Sequence, residues 1–460
     1  MATAEMESST KSLAGTGTIR FVATLAPPPR LIAVHAVDVL RAAIALLFVA
    51  NLGRIPVLST GDREAPLLVN DIAVAAFVAA GMLASLGRRS FRLDRVGFAA
   101  LAFATIGGIS ALIAVSRFGL TAFQLVVSLA YLARWLLYLG IYLTMVNVLR
   151  ARDVTLVWRA LESTVVAIAG FGIVQAIFLP GFAQLVYADS RPYLDWDPQG
   201  HRLVSTILEP NIAGAMLMAI LLVELAQMSV GARVARWKPL VVFAALVLTL
   251  SRSAVVGLVL GIAVIISVYG IPKRLLRAVA VASVIALAAL PKLIGFAASY
   301  DKFTLSGSAA ARLAAWAMGL RVFLDHPWIG VGFNTYGFVV EREYGLPRLG
   351  VANYSTDGGL LFAGAMTGIA GLAILLWMFS LVYRRCASIW RSKIASAEHR
   401  GIAIGTVASI IAICAHSVFV NSLFTTFVME IMWILVGLTF AVRPTRARSG
   451  DSELLDAEVQ

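Results

Sequence analysis

The chain has 460 residues, 60% of them hydrophobic and 14% charged, with a mean hydropathy of +0.87. Soluble domains hold about 45–50% apolar and about 25% charged residues, so this composition excludes a soluble enzyme and implies an integral membrane protein. The net charge of +13 does not point to nucleic acid: the Lys and Arg residues fall in short connections between apolar runs, where they set orientation and attract anionic lipid.

Residues 1–30 are polar, small and Pro-rich at their end, without the apolar core of a signal peptide. They read as a flexible cytoplasmic tail, as does 443–460 at the other end. Between them, 31–442 reads as one polytopic membrane domain. At about 20 residues per crossing, candidate spans fall at 32–52, 69–86, 96–115, 121–148, 157–179, 206–229, 239–250, 254–271, 278–295, 358–382, 401–420 and 424–442. The run 239–250 is short, so it and 254–271 are either two spans meeting at Ser251-Arg252-Ser253 or one broken helix.

Basic residues arbitrate. Arg30, the group Arg88 to Arg95, Arg150 to Arg159, Arg233 to Lys238, Lys273 to Arg277, Arg384 to Lys393 and Arg443 to Arg448 alternate with poorly basic loops. About twelve spans put every basic cluster on one side, giving N-in and C-in topology. The expected fold is therefore all-α, with two sizeable extracytoplasmic loops, 180–205 and 296–357. Within the second, 309–323 carries Leu313, Trp316, Ala317, Leu320 and Phe323 at helical spacing, as an amphipathic helix lying at the interface would. It stops at Asp325-His326-Pro327, followed by Gly330-Val331-Gly332. Cys386, in a basic loop, and Cys414, inside a span, suggest neither a disulfide nor a metal site.

Several charged residues invite a functional reading. Arg252 lies between two apolar runs, opposes the positive-inside trend and needs an anionic partner, unless it merely marks a short outer turn. Arg312 stands four residues before Trp316, an arrangement equally suited to a ligand or to lipid anchoring. Asp357, just before the Gly-rich run 358–371, reads first as a helix N-cap and alternatively as a base for a hydroxyl. Pro210 suits a first helical position beside Glu209 and Asn211. Upstream are His201, Arg202, Asp189, Asp195 and Asp197, whose spacing matches no metal loop. Asp38 and Arg41 read as an intrahelical ion pair. Arg134, His416, Asn421 and Glu430 read as glue between helices or as cavity lining. Nucleotide-binding, zinc and nucleophile-elbow motifs are missing.

Four stretches together resemble the O-antigen ligase/polymerase superfamily: LTLSRSAVVGLVLG, SAAARLAAWAMGLRVFLDHPWIGVGFNTYG, HRLVSTILEPNIAGAMLMAILL and STDGGLLFAGAMTGIAGL. The resemblance covers roughly 160–440. It implies an all-helical glycosyltransferase of the bacterial inner membrane that needs neither metal nor other cofactor. Its donor would be a glycan on undecaprenyl diphosphate, with an acceptor glycan, membrane lipids and room for a chain-length regulator as further partners. The family's functional arginines match Arg252 and Arg312, which would hold the diphosphate, with Arg202, Glu209 and Trp316 completing the binding set. Asp357 stands where ligases carry His. That departure favours a polymerase of envelope polysaccharide, with Asp357 as base, over a ligase acting on lipid A core. A transporter of oligosaccharide or small anions is the rival reading, weakened by the lack of a paired half-chain repeat or matched broken helices. A flippase for the same lipid-linked sugar is weaker still.

Overall fold

The computed structural model describes residues 19–20, 36–60, 63–87, 91–186, 202–270, 277, 305–345 and 355–441. Fourteen helices run through them: α1 (Ala36–Leu46), α2 (Val69–Gly87), α3 (Arg95–Phe118), α4 (Ala122–Val148), α5 (Ala151–Phe178), α6 (Phe182–Val186), α7 (Pro210–Ser229), α8 (Trp237–Leu248), α9 (Arg252–Tyr269), α10 (Leu305–Asp325), α11 (Tyr336–Glu343), α12 (Gly359–Trp390), α13 (Ala397–Ser417) and α14 (Thr426–Ala441). Seven of them, α3, α4, α5, α7, α9, α12 and α13, are long and apolar enough to cross a membrane; α2, α8 and α14 are apolar but shorter. The expected span 278–295 lies outside the described residues, as do most of 180–205, the tail 443–460 and all of 1–30 but residues 19–20.

The fold is mostly helical, consistent with the all-α expectation, and carries two short strand pairs besides. β2 (Arg54–Thr60) and β3 (Arg63–Leu68) form an antiparallel hairpin beside α4, while β1 (Ile19–Arg20) pairs with β4 (Arg92–Leu93). The 239–271 region is two helices, α8 and α9, joined at a left-handed Leu250 (φ 55°). α8 packs on α5 and α7, whereas α9 packs on α7 and α13. Cys386 is buried within α12 rather than in a loop, and both cysteines are free.

Local chemistry marks the helix starts. Asp94 caps α3 by accepting from Gly97 N at 2.8 Å, and Thr121 with Gln124 forms a capping box on α4. Ser251 caps α9, and Ser396 caps α13. Inside the bundle, several charges are paired. Arg134 reaches Asp71 at 2.8 Å, and Tyr138 donates to the same carboxylate at 2.6 Å. Lys238 of α8 pairs with Glu162 of α5. Asn70 donates to Glu430 at 2.5 Å, joining α2 to α14. Arg134 and Glu430 thus serve as the interhelical glue that their positions suggest, and Arg41 meets Asp38 at 3.2 Å.

The feature that shapes the fold most is a break in α12. Gly368 has φ 64° and ψ −169°, which interrupts the helix about 14 Å from its Gly359 end. The turn 327–332 enters this gap. Val331 N donates to Ala365 O and Gly332 N to Met366 O, both at 2.9 Å, while Ile369 N donates to Pro327 O at 2.7 Å. Ser110 of α3 donates to Ile329 O at 2.5 Å, and Phe333 N reaches Gly107 O at 3.3 Å. The turn and the broken helix thus satisfy one another's backbone groups, as irregular backbone packed inside protein requires. At Gly368 both the positive φ and the contact with the Trp328 carbonyl exclude a side chain. Gly368→Ala is therefore expected to destabilise the protein by roughly 2–4 kcal/mol. Gly170→Ala, whose added methyl meets open space inside α5, is expected to raise stability by roughly 0.5–1 kcal/mol; thermal melts in detergent compare the two.

Candidate functional site

The sequence places the candidate residues in three separate stretches, and the structure gathers most of them at one end of the bundle. Arg312 and Trp316 lie one turn apart on α10, both half-buried. The expected interfacial stripe of this helix divides in two. Leu313 and Leu320 are exposed, whereas Trp316, Val322 and Phe323 turn inward. The inward face meets α12 and the turn 418–425 between α13 and α14: Trp316 Nε1 donates to Val418 O at 2.9 Å, and its ring stands 6.5 Å from that of Phe419. The Arg312 guanidinium lies over the same Phe419 ring at 6.0 Å, a cation–π contact that holds it without neutralising it.

Asp357 reaches this group through its neighbour. Thr356 is buried and donates to Ala315 O of α10 at 2.7 Å, pinning the start of α12 to the helix that carries Arg312. Asp357 does not cap α12, contrary to the first reading of its position. The cap position belongs to Gly358, left-handed at φ 98°, which provides no side-chain cap. Burial raises the Asp357 carboxyl from its ordinary value to about 6, and the nearby Arg312 charge only partly offsets that rise. The pair is thus an incompletely compensated carboxylate beside a cation, at a helix start whose partial positive charge favours anions.

A second group surrounds the start of α7. Pro210 is its first residue, as expected, and Glu209 is the N-cap, accepting from Asn211 N at 3.1 Å and from Ile212 N. Burial raises the Glu209 carboxyl, while those N–H groups and the charge of Arg202 pull it back. Arg202 is buried, donating to Asn211 Oδ1 at 3.1 Å and to Thr249 O at 2.9 Å. Thr249 belongs to the connection that leads into α9, whose first residue is Arg252. Arg252 is exposed, with no hydrogen bond or ion pair among the described residues. The buried Arg202 and the half-buried Glu209 are therefore neighbours joined through Asn211, whereas Arg252 is exposed. Sequence reasoning did not single out Asn211, Thr356 or Phe419 as site-builders; the Arg-Pro-Asn pattern was the available signal for the first.

The segment holding Arg252, Arg312, Trp316, Asp357 and the broken helix also carries a family match. Residues 239–376 match the family model described as O-Antigen ligase. This stretch is similar to the O-antigen ligase family. That similarity, over less than half of the chain, is consistent with the O-antigen ligase/polymerase resemblance and supports a multi-pass membrane protein with a polysaccharide ligase- or polymerase-type function. No curated protein matches the chain. Arg202, Glu209 and the turn 418–425 lie outside the O-antigen ligase segment and join it only through tertiary contacts. Among the described residues, no group of three His, Cys, Asp or Glu is arranged to hold a metal.

The raised Asp357 carboxyl has a defined consequence for stability. Between about pH 4 and 6 the folded protein retains a proton there that the unfolded chain has released, so this group makes stability fall as pH rises through that window. Asp357→Asn is expected to melt close to wild type at pH 4 and above it at pH 7.5. Parallel melts of the two proteins across that range check the sign.

Proposed function

We propose that this protein is a metal-independent glycosyltransferase that polymerises an envelope polysaccharide at the outer side of the bacterial inner membrane. Its donor is a glycan on undecaprenyl diphosphate, and its acceptor is a sugar hydroxyl. The observation that carries the proposal is Arg312 beside Asp357 at the uncapped start of α12, inside the matched O-antigen ligase segment.

The chemistry follows from these groups. The acceptor oxygen attacks the anomeric carbon as the bond from that carbon to the diphosphate oxygen breaks, inverting the configuration. The acceptor proton passes to the Asp357 carboxylate, and undecaprenyl diphosphate departs with the bonding electrons. Arg312 and Arg252 hold the departing diphosphate, since guanidinium donors bind phosphate oxygens bidentately and stabilise charge as it develops. Free first-turn N–H groups of α12 add to the same field. The departing group is stabilised by protein donors, so the reaction as drawn routes no step through a metal. Trp316 provides an apolar face beside the cation, while Arg202 and Glu209 position the glycan or diphosphate from the α7 side. A carboxyl near 6 is a suitable base, being mostly ionised at neutral pH yet basic enough to take a proton.

The family description favours a second reading, ligation of finished polymer to lipid A core. Asp357 in place of His supports polymerase over ligase. A deletion strain complemented with wild type, Arg252→Ala, Arg312→Ala or Asp357→Ala separates these readings on a polysaccharide gel. With equal membrane levels, each variant is expected to lose the long-chain ladder while single repeats persist on the core or the carrier. Long polymer accumulating on undecaprenyl diphosphate would mean ligase, and an unchanged ladder in the deletion strain would reject both. Activity in isolated membranes is expected to rise with pH through about 6 and then level off, following ionisation of Asp357.

A further inference from the structure

The His416 side chain has no part in the chemistry above, yet every element of the site converges on its surroundings. His416 is fully buried at the end of α13. Its Nδ1 shares a hydrogen bond with Ser422 Oγ at 2.9 Å; Ser422 Oγ meets Ser417 Oγ at 2.9 Å, and Ser417 Oγ accepts from Leu423 N at 2.8 Å. This chain of polar groups fixes the turn that follows α13. The same turn holds the Arg312 side of the site. Val418 O accepts from Trp316, and the Phe419 ring lies beneath the Arg312 guanidinium. The first residue of α12 rests directly on it: a Cβ at Gly359 would stand 3.0 Å from Ser417 Oγ and 2.8 Å from Leu423 Cβ.

The other ring nitrogen faces the opposite half of the site. Nε2 is buried with no hydrogen-bond partner among the described residues. Antiparallel contacts between α13 and α7, with Gly401 on Gln227, Gly405 on Val223 and Ser409 Oγ donating to Ala219 O at 2.8 Å, carry His416 to the level of Asn211 at the start of α7. Asn211 is the residue that joins Arg202 to Glu209. One turn before His416, α13 meets α9 closely: a Cβ at Gly257 would stand 2.8 Å from Ala412 O. The helices bearing Arg252, Arg312, Asp357 and the Arg202–Glu209 pair thus all bear on the end of α13, whose one buried ionisable side chain among the described residues is His416. An unpaired ring nitrogen in a buried setting costs free energy.

We infer that His416 is a positioning residue that registers the Arg312–Asp357 half of the site against the Arg202–Glu209 half, and so sets the site's affinity for a polyprenyl diphosphate. This inference rests on the transferase reading. The test uses the full-length protein in lipid nanodiscs with undecaprenyl diphosphate as probe, measuring Kd and melting temperature for wild type, His416→Ala, His416→Gln and Ser422→Ala. His416→Ala is expected to raise Kd about tenfold. Glutamine, which offers a polar group at a reach similar to Nε2, is expected to bring Kd back within about threefold of wild type. Ser422→Ala, which frees the ring without removing it, is expected to raise Kd about threefold and decides the matter if His416→Ala does not accumulate. Kd values equal to wild type with lowered melting temperatures would make His416 a packing residue and overturn the inference while leaving the transferase reading intact. Wild-type protein that does not bind the probe would reject that reading, and this inference with it.

Discussion

Backbone polar groups at membrane depth must be satisfied by protein, and that constraint organises this molecule. The break at Gly368 frees the carbonyls of Ala365 and Met366 and the N–H of Ile369, and the turn 327–332 is the partner for all three. Because that turn is anchored, α10 before it and α11 after it are drawn onto α12 and α3. Arg342 of α11 strengthens this by donating to Phe118 O at 3.0 Å, at the exposed end of α3. The position of Arg312 relative to Asp357 is thus a remote consequence of how one broken helix is repaired.

Electrostatics at the site follow from incomplete compensation. Elsewhere in the bundle several charges are closely matched, as Arg134 with Asp71 and Lys238 with Glu162, although the buried Glu224 carboxylate has no hydrogen-bond partner among the described residues. Such pairs hold helices together and leave little charge over for a ligand. At the site the matching stops. Arg312 is held by an aromatic face, Arg252 is exposed, Asp357 is buried enough to resist ionisation, and the start of α12 has no side-chain cap. A surface left with this much unspent donor capacity suits an anionic ligand better than it suits stability.

Much of the architecture was legible in the sequence because the signals were local. Apolar runs longer than about 18 residues gave the long helices, Pro210 marked the start of α7, and the capping residues stood where the helices begin. The strand pair formed by 54–60 and 63–68 was not legible, since its exposed apolar residues resemble the edge of a span. Cys386 was misplaced for a similar reason: α12 continues well past the apolar core, through Arg384 and Arg385. Asp357 was first read as a cap because local pattern favours an acidic residue before a helix. The conformation of Gly358 decided otherwise.

The sequence alone determined that this is a membrane protein, where its long helices lie, and which family its 239–376 segment matches, since composition, periodicity and motif order are properties of the chain itself. Tertiary structure alone decided that Arg312 and Asp357 are neighbours, that Arg202 and Glu209 form a separate pair, and that His416 lies between the two groups. Those relations depend on contacts between residues as far apart as Asn211 and His416. Contacts at that separation are set by how helices pack and how their broken hydrogen bonds are repaired, and no local pattern records them.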